Sequence, residues 1–98
     1  MASGGDYYDP KVFGPTFWKT YDIIAETYPK HPTKKQQAAA KMFFRSQKYL
    51  IPCTSCAHNY RLIYKKFPPR VENRETLRAW LQLLKTKVSE HVQKEKGK

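Results

Sequence analysis

The sequence has little of what marks membrane-spanning, secreted or repetitive proteins. No run approaches the roughly 20 apolar residues that cross a bilayer as a helix, and residues 1–9 carry neither the basic start nor the apolar stretch of a secretory signal. There are only two cysteines and four glycines, too few for the disulfide framework of a small secreted protein or for a glycine-rich disordered chain. No internal repeat is present, and no segment alternates with period two as a strand does. The 98 residues are therefore expected to form one helical domain without a membrane span.

Acidic residues are also scarce. Asp and Glu number 8 against 19 Lys and Arg, so the formal net charge is +11. Such a charge is typical of a nucleic-acid surface, but it also fits a solvated basic face or a field that attracts acidic protein partners. The basic residues are spread over the whole chain, and no nucleic-acid motif accompanies them. Nucleic-acid binding is therefore the less favoured function.

Four segments of the chain have the length and pattern of helices. Apolar residues recur in each at spacings of three and four, which places them on one helix face. The segments run over about 14–28, 33–49, 52–66 and 73–91. Hydrophobic residues make up 40% of the chain and aromatic residues 14%, enough for a core because each aromatic side chain buries a large area. The pattern predicts an all-α four-helix bundle.

Local signals support these helix boundaries. Pro15 suits the first turn of a helix, where its missing N–H costs nothing. Thr33 and Gln36 have the spacing of a capping box, and Asn73 is a suitable N-cap. The predicted buried stripes are Phe17, Trp18, Tyr21, Ile24, Ala25 and Tyr28 in the first helix, Ala39, Ala40, Phe43 and Phe44 in the second, Tyr60, Ile63 and Tyr64 in the third, and Leu77, Trp80, Leu81, Leu84 and Val88 in the fourth.

The two cysteines form a C-x-x-C pair, Cys53 and Cys56, directly after Pro52 at the predicted start of the third helix. The reactive form of cysteine is the thiolate, and a helix N-terminus stabilises an anion through its unpaired N–H groups and its partial positive charge. The spacing lets the two sulfurs bond to each other. The pattern therefore predicts a disulfide that opens and closes by thiol exchange, aided by Lys48, His58 and Arg61 if they face the same way.

Three other interpretations of the pair remain open. The cysteines could be buried and inert. They could be half of a zinc site, which needs four ligands and would have to recruit His31, His58 or His91 from separate segments. A thioredoxin-type motif requires a strand before the helix, whereas the segment before Cys53 has a helical pattern.

Beyond these features, longer motifs resemble a known family. The run Trp18-x-x-Tyr21-x-x-x-Ala25-x-x-Tyr28-Pro29-x-x-Pro32-Thr33-x-x-Gln36-Gln37, the element Pro52-Cys53-x-x-Cys56-Ala57, and Trp80-Leu81 with Val88 are similar to the Erv/ALR sulfhydryl oxidases. Phe13-Gly14-Pro15-x-x-Trp18 looks more like the short viral members. The resemblance covers residues 13–94 without a gap.

The resemblance implies an enzyme, a flavin-dependent thiol oxidase. Members bind FAD at one mouth of a four-helix bundle and oxidise protein dithiols to disulfides. Cys53 would exchange with the substrate, and Cys56 would lie beside the flavin ring. The positions implied around the cofactor are Gly14, Trp18, Tyr28, Val88 and Lys94. Many members dimerise through their first two helices, with which the small residues Ala38 to Ala40 are compatible.

The chain departs from the family pattern on two of its helices. Asp22 replaces a histidine of the first helix, and Lys85, Thr86 and Ser89 replace polar and ring side chains of the fourth, all at family FAD positions. In cellular members, two cysteines join the third and fourth helices; this chain has Lys65 and Gln82 at those positions. Asp22 is expected to pair with a neighbour such as Lys19 or Lys41, and lysines such as Lys85, Lys87 and Lys94 could hold a pyrophosphate by charge.

Three hypotheses follow for the function. The first is an FAD-linked sulfhydryl oxidase that acts on protein dithiols or a dithiol relay protein. The second is a flavin-free relative that serves as an interaction or redox-relay module, and the third is a nucleic-acid-binding bundle. The predicted organisation is a flexible arm over 1–12, the oxidase domain over 13–93 and a basic tail over 94–98. If viral, the protein is expected in the infected-cell cytoplasm or the virion, and if cellular, in the mitochondrial intermembrane space.

Overall fold

Helices account for nearly all of the chain that the structure describes. The computed structural model describes residues 4–96, with side chains described for residues 6–92. A short 3-10 helix, Gly4–Tyr8, precedes four α-helices: α1 (Pro10–Thr27), α2 (Lys34–Leu50), α3 (Thr54–Lys66) and α4 (Arg74–Lys96). The described residues contain no strand, so the predicted all-α four-helix architecture is confirmed. No described helix is long and apolar enough to cross a membrane.

The start of α1 differs from the prediction. Residues 1–3 of the predicted arm lie outside the described residues, and residues 4–12 are helical except around Asp9. Asp9 is the N-cap, and its carboxylate accepts a hydrogen bond from the backbone N–H of Lys11 at 2.9 Å. Pro10 takes the first helical position, where a proline costs nothing. Pro15 therefore lies inside α1 rather than in its first turn, and the helix lacks one backbone donor there.

The predicted N-caps of α2 and α4 are confirmed. Thr33 Oγ1 accepts from the backbone N–H of Gln36 at 3.1 Å, and Gln36 Oε1 accepts from that of Thr33 at 2.9 Å, which is the reciprocal capping box. At α4, Asn73 Oδ1 accepts from the backbone N–H of Thr76 at 2.9 Å. The described helix α4 continues to Lys96, beyond the predicted end near His91.

The core forms where the aromatic stripes of the helices meet. Phe44 is completely buried, and its ring lies 5.0 Å from that of Trp80 in an edge-to-face contact. The predicted stripes supply most of this core, with the exception of Ala39, which is exposed. The buried residues are Tyr21, Ala25, Tyr28, Ala40, Phe44, Ala57, Tyr60, Ile63, Val71, Leu77, Trp80, Leu81 and Leu84, with Gln47 as the one polar member among the described side chains.

The polar tips of the buried aromatics fix how the helices pack. Tyr60 Oη donates to the carbonyl of Phe44 at 2.7 Å, which joins α3 to α2. Trp80 Nε1 donates to the carbonyl of Phe67 at 2.7 Å, which joins α4 to the end of α3. Tyr and Trp normally find such partners when buried. No described buried side-chain polar atom lacks a hydrogen bond, so the core is apolar in bulk and specified by its few polar contacts.

The helices pack mainly as pairs. The largest contacts are between α1 and α4 and between α2 and α3, with α3 also against α4. The turn between α2 and α3 carries Cys53, which places the dithiol at the end of the α2–α3 pair.

Candidate active site

Cys53 is the N-cap of α3, a role more often taken by Ser, Thr, Asp or Asn. Its backbone is extended (φ −87°, ψ 124°), and its Sγ accepts a hydrogen bond from the backbone N–H of Cys56 at 3.4 Å. The helix therefore begins at Thr54, two residues after the predicted start at Pro52, because the cysteine itself supplies the cap. The sulfur of Cys53 thus lies at the N-terminus of α3, where an anion is stabilised.

A second contact to this sulfur comes from Ser55. Its Oγ lies 3.2 Å from Cys53 Sγ. Partial burial raises the pKa of the Cys53 thiol, but hydrogen bonds from the side chains and backbones of Cys56 and Ser55 together outweigh that effect and lower the pKa. The thiolate is the nucleophile in thiol exchange, so these contacts favour the reactive form of Cys53.

The two cysteines are both present as thiols and are both half-buried. Cys56 lies in the first turn of α3, next to the buried Ala57. Within the described part of the chain, no group of three or more His, Cys, Asp or Glu side chains could hold a metal ion. The structure therefore brings Cys53 and Cys56 together as a local pair at a helix start.

Two of the three side chains predicted to help the dithiol, Lys48 and Arg61, are engaged with other groups. Arg61 Nη1 donates to the backbone carbonyl of Lys48 at 2.7 Å, close to the end of α2. Lys48 Nζ lies 4.0 Å from the centre of the Tyr64 ring, a cation–π contact. His58 is exposed. The lowered pKa of Cys53 thus comes from the hydrogen bonds of its own turn and not from these side chains.

The residues that the resemblance assigns to a cofactor differ in their surroundings. Trp18 and Val88 are half-buried and pack against the core. A Cβ added at Gly14 would meet nothing within 4 Å, so the space beside this part of α1 is open. Tyr28 is buried, and its hydroxyl donates to the carbonyl of Val71 at 2.8 Å, which makes it a core residue in this structure. The side chain of Lys94 lies outside the described side chains.

The substituted family positions meet across α1 and α4. Lys85 Nζ lies 2.7 Å from Asp22 Oδ1, so the partner of Asp22 is Lys85 and not the predicted Lys19 or Lys41. Both side chains are about a third or more exposed, and such pairs are typically worth about 0.2–1 kcal/mol. Thr86 and Ser89 are exposed. The local sequence could not show the pairing, because it joins residues 63 positions apart.

A shallow groove of about 380 Å³ runs along the same two helices. Its lining combines apolar residues such as Leu81 with charged residues that include Asp22, Glu26 and Arg78. Arg78 Nε is 3.1 Å from Glu26 Oε1. The groove therefore continues from the Asp22–Lys85 pair along the outer surface of α1 and α4.

Two residues with polar contacts, one beside the dithiol and one inside the core, have no counterpart among the predicted residues. Ser55 has no role in the predictions made from the sequence, although a hydroxyl two residues after an N-cap can reach the capping atom. Gln47 was not singled out, and it is buried with its Oε1 accepting from Tyr21 Oη at 2.7 Å. A glutamine at helical spacing from Phe43 and Phe44 was the available signal for a polar group inside the core.

Comparison with known proteins gives one consistent result. Residues 15–98 match the model of the Erv1/Alr family. A putative FAD-linked sulfhydryl oxidase, 347L, of Invertebrate iridescent virus 6 is 44% identical over 48 residues, which are 49% of this chain and 43% of that protein. The mitochondrial FAD-linked sulfhydryl oxidase ERV1 of Saccharomyces cerevisiae is 30% identical over 88 residues, 90% of this chain and 47% of that protein. The chain thus spans about half the length of the curated relatives it matches.

Solved structures agree with the sequence comparison. The yeast Erv1 core superposes with a TM-score of 0.82 and 28% identity, covering 87% of this chain and 72% of the other. The FAD-binding domain of Erv1 from Saccharomyces cerevisiae gives a TM-score of 0.83 at 28% identity, covering 87% and 81%. A four-helix fold, a dithiol at the head of α3 and a family match over most of the residues together lead to one conclusion: the chain belongs to the Erv1/Alr family.

Proposed function

We propose that this chain is an FAD-linked sulfhydryl oxidase that forms disulfide bonds in protein substrates through Cys53 and Cys56. The observation that carries the proposal is the placement of the Cys53 sulfur. It caps α3, receives hydrogen bonds from its own turn and has a lowered pKa. The names of the relatives add support, because the viral and yeast proteins are both called FAD-linked sulfhydryl oxidases.

The exchange chemistry needs only the two cysteines and a substrate dithiol. In the oxidised chain, a substrate thiolate attacks Cys53 Sγ, a mixed disulfide forms, and Cys56 leaves as a thiolate. The second substrate thiolate then attacks the substrate sulfur of the mixed disulfide and releases Cys53. The substrate has lost two electrons and two protons, and the chain holds both cysteines in their reduced form. Hydrogen bonding at the N-terminus of α3 makes Cys53 a good leaving group, because a lower thiol pKa speeds departure.

Several side chains are suited to an FAD between α1 and α4. The open space at Gly14 admits a ligand close to the backbone, and the half-buried Trp18 and Val88 offer apolar surface. Lys85 could bind a phosphate by charge, with Asp22 holding it in place. When bound, the flavin would take the two electrons from the reduced cysteines and pass them to oxygen. Tyr28, Thr86, Ser89 and Lys94 complete the set proposed from the resemblance.

The partners of the chain and its location are proposals as well. The substrates would be protein dithiols or a dithiol relay protein. A homodimer through α1 and α2 is supported by the exposed Ile23 and Met42 and by the small residues Ala38 and Ala39. The domain would span 13–93, followed by a basic tail. Since the relatives include both viral and mitochondrial proteins, the proposed sites of action are the infected-cell cytoplasm or virion and the intermembrane space.

The decisive test uses the purified chain, supplied with FAD, and dithiothreitol as a small dithiol. We expect a flavin absorption band that remains after gel filtration, and oxygen consumption that Cys56→Ser abolishes without loss of helical circular dichroism. Thr54→Ser, a change at an exposed position between the cysteines, is the matched control and should retain activity. Undiminished oxygen consumption by Cys56→Ser would remove the dithiol from the mechanism.

A second candidate function has one observation in its favour. The Asp22–Lys85 pair occupies positions where the family holds its cofactor, and the contact of 2.7 Å with Asp22 already neutralises the Lys85 charge that would otherwise attract a phosphate. A flavin-free redox relay would keep the exchange chemistry of Cys53 and lack the absorption band. A colourless protein that still exchanges disulfides would favour this function over the oxidase.

A further inference from the structure

The acidic residues of the chain are absent from its central segment, whereas the basic residues are not. Residues 27–71 contain no Asp or Glu, and all the acidic residues lie before or after this segment. The same segment has Lys or Arg at ten positions: Lys30, Lys34, Lys35, Lys41, Arg45, Lys48, Arg61, Lys65, Lys66 and Arg70. The basic residues are thus spread along the chain, but only this segment lacks acidic residues to offset them.

The division follows the helix pairs of the fold. Helices α2 and α3 pack on each other and lie wholly within the segment without acids, whereas α1 and α4 carry acidic residues. Every ion pair between described side chains uses a cation outside α2 and α3: Arg70, Arg78, Lys85 and Lys87. The α2–α3 half therefore presents cations that no described carboxylate of the chain neutralises. Cys53 lies in the turn that joins these two helices.

Exposed apolar side chains end the helix that leads into the dithiol turn. Tyr49 is 76% exposed and Leu50 is 63% exposed, and they form the last turn of α2, directly before the turn that carries Cys53. Arg61 lies 5.6 Å from the Tyr49 ring while it donates to the Lys48 carbonyl, so this cation is held in place at the junction. Ordered cations next to exposed aromatic and aliphatic groups are typical of a surface that binds another protein.

We propose that Cys53 receives its thiols from an acidic protein segment that docks on the α2–α3 half, with apolar contacts to Tyr49 and Leu50 and charge contacts to the cations around them. The inference rests on the proposed function and specifies its substrate class. Complementary charge raises the rate of encounter and aligns the partner. A protein segment is favoured over nucleic acid because the reaction at Cys53 consumes thiols and because the exposed apolar side chains directly precede the turn that carries Cys53.

The test is a disulfide-exchange assay that needs no flavin. The chain is oxidised to the Cys53–Cys56 disulfide and mixed with reduced peptides that share one dithiol centre and differ only in flanks of Glu, Ser or Lys. Samples are quenched with acid, and the oxidised and reduced forms of the chain and the peptide are quantified by mass spectrometry. Each rate is divided by that of the same peptide with hydroxyethyl disulfide, an uncharged small disulfide, which removes differences in the thiol pKa of the peptides.

We expect the Glu-flanked peptide to react roughly tenfold or more faster than the Lys-flanked peptide at low salt, the lower end of electrostatic steering. The advantage should nearly vanish at about 1 M salt, where the screening length falls to about 3 Å. Arg45→Gln with Lys48→Gln should reduce the advantage. Lys19→Gln with Arg78→Gln has the same net charge but alters α1 and α4, and should leave the advantage unchanged. Leu50→Ser should slow all three peptides alike.

The outcomes separate this inference from the proposed function. Equal normalised rates for the three peptides, or equal losses in the two double variants, would overturn the acidic substrate class even if dithiothreitol drives oxygen consumption. Loss of oxygen consumption with a retained Glu preference would refute the oxidase and leave the docking surface standing. Salt-sensitive binding of a DNA duplex, without any Glu advantage, would assign the basic half to nucleic acid and refute the inference.

Discussion

The buried contact between Tyr21 and Gln47 allows a quantitative test of what joins α1 to α2. Tyr21 is 4% exposed and Gln47 is 7% exposed, and the hydroxyl donates to Gln47 Oε1 at 2.7 Å. The other contact of the glutamine, from Nε2 to Ser46 Oγ, is long at 3.4 Å. Tyr21→Phe keeps the ring packed against its aromatic neighbours but leaves Gln47 Oε1 without a donor.

Leaving a buried acceptor without a partner costs about 1–3 kcal/mol, whereas replacing both partners with apolar groups of similar shape is nearly neutral. We therefore expect Tyr21→Phe and Gln47→Met each to lower the free energy of unfolding by about 1–3 kcal/mol. The double variant should lose much less than the sum. For a domain of this size, each kcal/mol corresponds to a fall in Tm of about 4–8 °C.

The coupling between the two side chains is measured by urea unfolding, followed by circular dichroism. The four proteins compared are the unaltered chain, Tyr21→Phe, Gln47→Met and the double variant. Tyr49→Phe is the control, because Tyr49 is 76% exposed and a surface change of this kind should stay within about 0.5 kcal/mol. Additive losses in the double variant would show that the hydroxyl and the amide do not depend on each other. The polar contact would then contribute nothing specific to the packing of α1 against α2.

Two further predictions concern ionisable groups. Ser55→Ala should slow the alkylation of Cys53 by iodoacetamide at neutral pH, because the Ser55 hydroxyl helps to lower the pKa of the Cys53 thiol and its removal raises that pKa. Thr54→Ala is the control. Equal alkylation rates in Ser55→Ala and the unaltered chain would show that Ser55 does not affect the reactivity of Cys53. Burial raises the pKa of Tyr21 and of Tyr60 above their ordinary value of 10.0, so above that pH the unfolded chain has released protons that the folded chain retains. The free energy of unfolding should therefore be fully retained below about pH 10 and fall as the pH rises further, less steeply in Tyr60→Phe; an unchanged slope in that variant would refute the assignment.

The helices could be predicted from the sequence because their signals are local. The apolar spacing, the Thr33–Gln36 capping box and the Asn73 cap each depend on residues within a few positions of one another. The predicted start of α1 was wrong because the prediction depended on the apolar stripe. Asp9 with Pro10 is itself a strong N-terminal signal, but it lies before that stripe. The prediction that Ala39 is buried was wrong, because a small residue fits both the buried and the exposed face of a helix.

The candidate site was predictable only in part. The C-x-x-C spacing locates the dithiol, but its surroundings depend on contacts that no local pattern specifies. The Asp22–Lys85 pair joins the first helix to the last, and Lys48 meets Tyr64 across the α2–α3 contact. Such pairs require the packing of the bundle. The capping role of Cys53 is local, and it was overlooked because cysteine is rarely a cap.

The double use of the Cys53 sulfur has a consequence for the first turn of α3. The same atom is both the chemical reactant and the acceptor that closes the helix end. A thiolate accepts hydrogen bonds strongly, whereas a sulfur shared in a covalent S–S bond carries no net charge to offer the Cys56 amide. The turn should therefore be closed in two different ways: by a hydrogen bond from the Cys56 amide when Cys53 is reduced, and by the covalent bond between the two sulfurs when the pair is oxidised.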